Sequence, residues 1–137
     1  MRHVLYLFFL CISVTALAQD DHMLTVEFDG IKTEKGKLFV ALYDSEANFL
    51  KRPIHKIIVE INDGKAATVF SNLKPGIYAI SSFFDQNNNG KMDTNFIGIP
   101  KEPTAMSNNA KGSFGPPKFK DAKFGITTLK TLIKINY

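Results

Sequence analysis

The chain has 137 residues, a formal net charge of +4 and a single cysteine, and 22% of its residues are charged. Its lysines are spread along the chain and do not cluster with aromatic residues, which argues against a nucleic-acid-binding surface. Because the only cysteine is Cys11, the chain beyond it can form neither an internal disulfide nor a thiolate metal site. The length suits one ordinary domain with its own hydrophobic core.

Residues 1–18 have the pattern of a secretory signal peptide. A short basic start is followed by an almost unbroken apolar run over residues 4–14 and then by small residues. We expect cleavage between Ala18 and Gln19, export to the periplasm or the cell exterior, and a single domain over residues 19–137. A membrane anchor is the weaker alternative, because the apolar run is shorter than the roughly 18 to 20 residues that span a bilayer.

Seven segments show the alternation of apolar and polar residues, or the β-branched residues, that are typical of strands. In chain order they are residues 24–28, 37–43, 56–61, 66–70, 77–84, 122–127 and 131–136. The second has apolar residues on both faces, which predicts a central strand. Turn signals at Asp63-Gly64 and Pro75-Gly76 separate neighbouring strands. Together these segments predict an all-β fold, a seven-stranded antiparallel β-sandwich.

A long segment over residues 85–118 is rich in Asn, Gly and Pro and has no sustained period. Loops of this length within a domain are usually functional or held by other groups. Two apolar stretches, residues 96–100 and 114–119, interrupt it. We expect them to fold down as a lid over the end of the sandwich. The alternative is an exposed aromatic platform for a sugar or a peptide.

The segment from Asp85 to Asp93 has the spacing of a calcium-binding loop. Side-chain oxygens stand at alternate positions, on Asp85, Asn87 and Asn89, and a glycine follows where such loops turn sharply. Calcium takes about six to eight oxygen ligands, and a turning backbone presents them from alternate residues. We therefore predict a structural Ca²⁺ site. Its expected ligands are Asp85, Asn87, Asn89, Lys91 through its backbone carbonyl, Asp93 and Glu102.

Two features separate this loop from an EF-hand. A predicted strand, not a helix, precedes it, and Phe96 occupies the position at which an EF-hand has a bidentate glutamate. Glu102 is the nearest carboxylate downstream, which makes it the candidate for the missing ligand. The alternative is an asparagine-rich turn that binds no metal, since Asn and Gly favour turns by themselves.

No residue pattern points to a catalytic group. His22 and His55 lack the spacing of metal ligands, and no serine lies in a nucleophile elbow. The sequence thus favours a non-enzymatic, calcium-stabilised module that binds a glycan, a peptide or a surface protein and does not span a membrane. The alternative is an enzyme that acts on carbohydrate through a pair of carboxylates around residues 85–118.

Five strings of the sequence stand out together: residues 73–79, residues 84–95, Gly98–Glu102, Ser107–Asn109 and Gly115–Phe124. These strings resemble the family called domain of unknown function 2141. The resemblance covers nearly all of the chain beyond the predicted signal peptide, and the Gly-Ile-Pro-Lys-Glu run is specific to it. It implies a small exported bacterial protein and brings no assigned activity.

At the level of fold, the Pro75-Gly76-Ile77-Tyr78 segment followed by an Asp/Asn loop is similar to transthyretin-type (prealbumin) and carboxypeptidase-regulatory-type sandwiches. Hydroxyisourate hydrolases with that fold use a histidine cluster and a Tyr-Arg-Gly-Ser ending. This chain ends in Asn136-Tyr137 and has only two histidines beyond the predicted signal peptide. That activity is therefore not expected, and a fold alone implies no other.

Overall fold

Eight β-strands and two very short helices form residues 21–137, the part of the chain that the computed structural model describes. The predicted signal peptide lies outside the described residues. The elements are β1 (His22–Asp29), β2 (Lys35–Tyr43), β3 (His55–Asn62), β4 (Ala66–Leu73), β5 (Gly76–Asp85), β6 (Thr104–Met106), a 3₁₀ turn (Ser107–Asn109), α1 (Phe119–Ala122), β7 (Phe124–Ile126) and β8 (Lys130–Asn136). Neither helix is long and apolar enough to cross a bilayer.

The strands form two sheets in a sandwich-like, nearly all-β arrangement. One sheet has the order β4-β1-β8, and the other has the order β3-β2-β5-β6 with β7 also paired to β5. The central position predicted for β2 is confirmed, since it lies between β3 and β5. All pairs are antiparallel except β1 with β8, which run parallel.

The prediction of seven antiparallel strands is therefore wrong in two respects. An eighth strand, β6, lies within the long segment, and it has only three residues, too few to show an alternating pattern. The parallel pairing of β1 with β8 joins the two ends of the described chain, and no local sequence pattern reports a partner so distant. The predicted strand over residues 122–127 begins later, at Phe124, because Ala122 closes the single turn of α1.

The main hydrophobic core lies between the two sheets. Alternate residues of β1, β2 and β5 point into it, because successive side chains of a strand face opposite sides of the sheet. The members from these three strands are Leu24, Val26, Phe28, Leu38, Val40, Leu42, Tyr78, Ile80 and Phe84. Each fully buried side chain of this size contributes roughly 1.5–3 kcal/mol to folding. β5 contributes three of these side chains, and its pairing with β2, β6 and β7 places it inside its sheet.

A second, smaller cluster covers part of the outer face of the five-stranded sheet. Phe49, from the segment between β2 and β3, packs edge-to-face on Tyr43 and on Phe119 of α1. The ring centroids lie 5.3 Å and 5.6 Å apart, respectively. This aromatic chain holds α1 and the β2–β3 connection against the sheet. Farther along the same strands, Phe39 and Phe83 stack on each other at 4.8 Å and lie outside the cluster.

The 3₁₀ turn links the two sheets. Ser107 is fully buried, accepts the N–H of Ile80 at 2.9 Å and donates to the carbonyl of Ala122 at 2.5 Å. Two residues later, the Asn109 side chain accepts the N–H of Asn136 in β8 at 2.9 Å. This turn therefore joins β5, α1 and β8 through side-chain bonds.

The prediction that both apolar stretches form a lid is wrong for Phe96 and Phe114. Phe96 is 99% exposed, Phe114 is fully exposed, and only Phe119 of the second stretch packs on the sheet. The backbone around Phe96 is held by local hydrogen bonds, because the side-chain oxygen Oδ1 of Asn95 accepts the N–H groups of Ile97 and Ile99. The turn thus needs no contact with the sandwich to keep its shape.

Candidate metal centre

The candidate loop begins at the last residue of β5. Asp85 is only 3% exposed, and its carboxylate accepts the N–H of Asn89 at 3.2 Å and the N–H of Gly90 at 2.8 Å. Gly90 has a φ of +79°, a conformation that glycine adopts at little cost. The loop therefore turns back at Gly90 and encloses the Asp85 carboxylate.

The two asparagines at alternate positions each form a local turn. The Asn87 Oδ1 accepts the N–H of Asn89 at 3.2 Å, and the Asn89 Oδ1 accepts the N–H of Lys91 at 3.0 Å. Asx turns of this kind suit Asn because its side chain competes with the backbone for nearby N–H groups. The Lys91 side chain is exposed, and its backbone lies within the loop.

Asp93 closes the loop from the other side. Its Oδ2 accepts the side-chain N–H groups of Asn87 at 2.5 Å and of Asn89 at 2.8 Å. The structure therefore brings four of the predicted ligands, Asp85, Asn87, Asn89 and Asp93, into one hydrogen-bonded network. Rotation of an Asn carboxamide about its last bond exchanges its NH₂ for its oxygen. The same rotation would place each NH₂ against the backbone N–H that the amide oxygen now accepts, so a cation that drew both oxygens toward Asp93 would also have to break these two turn bonds.

Glu102 lies at the neck of this loop and is only 6% exposed. Its Oε1 accepts the N–H of Gln86 at 3.0 Å, and its Oε2 accepts the N–H of Asp93 at 3.1 Å. The carboxylate thus ties the first and the last part of the loop together. Both of its oxygens are engaged by backbone donors, and each oxygen retains a further lone pair.

The chain returns to the sheet immediately after Glu102. The Phe84 N–H donates to the Pro103 carbonyl at 3.0 Å, and β6 then pairs with β5 from Thr104 onward. Residues 86–102 consequently form a closed excursion from the central strand. The sequence alone did not reveal this closure, since nothing in a single glutamate shows which backbone groups it will accept.

None of the charged side chains in the loop forms an ion pair with another described residue. Both ion pairs in the described part of the chain involve Glu27 or Asp29 of β1, so Asp85, Asp93 and Glu102 take part in none. Within residues 21–137, no three His, Cys, Asp or Glu side chains are grouped as a metal site. Any site here would therefore depend on amide and backbone oxygens together with carboxylates, the ligands of hard cations such as Ca²⁺.

The two described histidines and Ser82 lie on strands, outside the candidate loop. His22 lies in β1 and His55 begins β3, in different sheets. The hydroxyl of Ser82 donates to the Ala105 carbonyl at 3.0 Å and lies 2.7 Å from the Tyr137 hydroxyl. Burial raises the pKa of Tyr137 well above its usual value. Ser82 is buried, and its contacts join β5, β6 and Tyr137 at the end of the described chain.

Fold and loop together define an all-β, two-sheet protein with a polar, carboxylate-bearing loop at the end of a central strand. A family model described as an uncharacterized protein conserved in bacteria, domain of unknown function 2141, matches residues 26–134. The chain belongs to this family, which confirms the resemblance seen in the sequence. No curated protein and no solved structure matches the chain.

Proposed function

We propose that this protein is an exported, calcium-stabilised β-sandwich that acts as a binding or accessory module. The observation that carries the proposal is the convergence of Asp85, Asn87, Asn89 and Asp93 around one tight turn. Two of these residues are carboxylates without an ion-pair partner in the described part of the chain. A divalent cation would offset this uncompensated negative charge.

The expected affinity follows from the ligand set. With two carboxylates in the loop and Glu102 engaged by backbone N–H groups, the site should bind Ca²⁺ with modest affinity, in the micromolar-to-millimolar range. Calcium at about 100 times the Kd would stabilise the fold by about 2.7 kcal/mol. That gain is comparable to one disulfide, and the chain beyond Cys11 has no cysteine to form one.

We further propose a transthyretin-like arrangement of the two sheets. The support is the strand order, with β4-β1-β8 in one sheet and β3-β2-β5-β6 in the other. The proposal of export rests on the signal-peptide pattern of residues 1–18. The carbohydrate-active enzyme is not favoured by any contact at the loop. Both oxygens of Asp85 and both oxygens of Glu102 accept backbone N–H groups, which leaves no pair of free carboxylates between them.

The test is thermal unfolding of the purified protein in EDTA, in Ca²⁺ and in Mg²⁺. Calcium should raise the Tm of the wild type, and Asp93→Asn should abolish that shift because it removes one loop charge with no change in shape. Asp63→Asn is the matched control, since Asp63 lies in another tight turn, has a φ of +50° and is exposed. An equal Tm in EDTA and in calcium for the wild type would overturn the proposal, as would an undiminished shift in Asp93→Asn.

A further inference from the structure

The outer face of the five-stranded sheet carries an apolar groove of about 530 Å³ beside the candidate metal loop. Its floor crosses three neighbouring strands, with Ile58 of β3, Phe39 of β2 and Phe83 of β5 paired side by side. The outer faces of antiparallel sheets are normally polar. An apolar row at this place is therefore a feature that folding alone does not require.

Two walls bound the groove. On one side lies the β2–β3 connection with Leu50 and Pro53, and on the other lies the metal loop with Gly90 and Met92. Ile58 is 55% exposed, so the floor is open to solvent. A volume of this size falls in the range of small-molecule sites, about 300–1,000 Å³.

The charges at the rim have one sign. Lys51, Lys56 and Lys91 line the groove, no Asp or Glu lines it, and neither ion pair of the described chain involves these lysines. The other large cavity, of about 610 Å³, differs in this respect, because it holds Glu27 and Asp29 together with lysines. Of these two cavities in the described part of the chain, only the groove beside the metal loop combines an apolar floor with lysines that form no ion pair.

Few polar groups are available to recognise a sugar in this groove. The hydroxyls of Tyr43 and Ser81 lie 3.1 Å apart and are hydrogen-bonded to each other. A glycan needs several free donors and acceptors to replace its bound water. The groove instead matches a ligand with an apolar body and a single anionic group.

From these observations we propose that the groove binds a free fatty acid of medium chain length, with its chain on the apolar floor and its carboxylate among the three lysines. This inference rests on the proposed function as a binding module and names its ligand class. Because Gly90, Lys91 and Met92 belong both to the groove wall and to the metal loop, calcium bound to the loop should also hold that wall in place. Calcium should then tighten fatty-acid binding.

Titration calorimetry with decanoate, decanol and decyltrimethylammonium, each below its micelle concentration, tests the proposal. In EDTA and low salt, we expect decanoate to bind about tenfold more tightly than decanol, because the rim charges attract only the anion. Decyltrimethylammonium should bind most weakly. The advantage of decanoate over decanol should shrink as salt is added. Equal binding of decanoate and decanol, or tighter binding of the cation, would overturn the assignment.

Two variants locate the site. Ile58→Glu places a carboxylate on the floor and should weaken decanoate binding by about tenfold or more. Leu132→Glu is the matched control, because Leu132 is 52% exposed and lies on β8, an edge strand of the other sheet. Lys91→Gln should weaken decanoate binding more than decanol binding, because it removes one rim charge. Wild-type affinity for decanoate in a folded Ile58→Glu protein contradicts the proposal.

Repeating the titrations in calcium separates this inference from the metal proposal. Decanoate binding that is lost in Ile58→Glu, in a protein whose Tm does not respond to calcium, supports the groove and overturns the metal site alone. A calcium-dependent Tm without decanoate binding in either condition overturns the groove alone.

Discussion

Replacing Glu102 by glutamine removes one of the two acceptor oxygens that hold the neck of the loop. In the wild type, the carboxylate accepts the N–H groups of Gln86 at 3.0 Å and Asp93 at 3.1 Å in a nearly buried position. A glutamine keeps one oxygen and presents an NH₂ group to the other donor, so one charge-assisted bond is lost. Hydrogen bonds to charged groups contribute roughly 1.5–3 kcal/mol. We therefore expect the free energy of unfolding to fall by about 2 kcal/mol, and the Tm to fall by roughly 5–10 °C.

The measurement is urea unfolding in EDTA, combined with hydrogen exchange of the backbone amides. EDTA removes any contribution of calcium, so the result reports the protein contacts alone. The amides of Gln86 and Asp93 should lose protection in Glu102→Gln while those of the core strands change only with global stability. Glu60→Gln on β3 is the control, because Glu60 is exposed and on an edge strand, and it should change stability little. A Glu102→Gln protein as stable as Glu60→Gln would refute the assignment of Glu102 as the group that closes the loop.

Two further predictions concern buried hydroxyl groups. Ser107→Ala leaves two buried backbone partners of the serine without a bond and should lower the unfolding free energy by about 2–4 kcal/mol, measured by urea unfolding against the exposed Ser113→Ala. Stability should also fall as pH rises above about 10, because burial raises the pKa of Tyr137 in the folded state, so that the unfolded chain releases its proton first. Tyr137→Phe should weaken this alkaline loss and, at neutral pH, cost about 1 kcal/mol for the bond to Ser82; an unchanged pH profile in unfolding experiments would contradict the assignment.

The strands of the core could be predicted from the sequence because their signal is local. Five of the seven predicted segments lie within β1 to β5, and the apolar character of both faces of β2 correctly indicated its central place. The parallel pairing of β1 with β8 could not be predicted in this way, because it joins distant segments through backbone groups that every residue carries. The same physical reason hid β6, whose three residues are held by pairing with β5.

The same distinction applies to the candidate site: the positions of some residues follow from local sequence, and those of others depend on the fold. The spacing of Asp85, Asn87, Asn89 and Asp93 correctly indicated that these residues meet, because alternate positions around one glycine are close by local geometry alone. The position of Glu102 at the loop depends on the return of the chain to β5, which is a property of the sheet. The groove was hidden for a further reason. The sequence assigns Phe39 to an apolar face but does not show that this face lacks a second layer above it.

The closed excursion over residues 86–102 explains why one segment can serve both proposed sites. Its two ends are fixed on the central strand β5, at Asp85 and at the Glu102–Thr104 return, so the ends cannot move apart without breaking β-sheet bonds. The turn between them is held by side-chain bonds from Asp85, Asn87 and Asn89 to backbone N–H groups. A cation in the loop would act on these side-chain bonds, which lie outside the pairing of β6 with β5. Its effect should therefore appear at the exposed wall of the groove, while the core strands keep their positions.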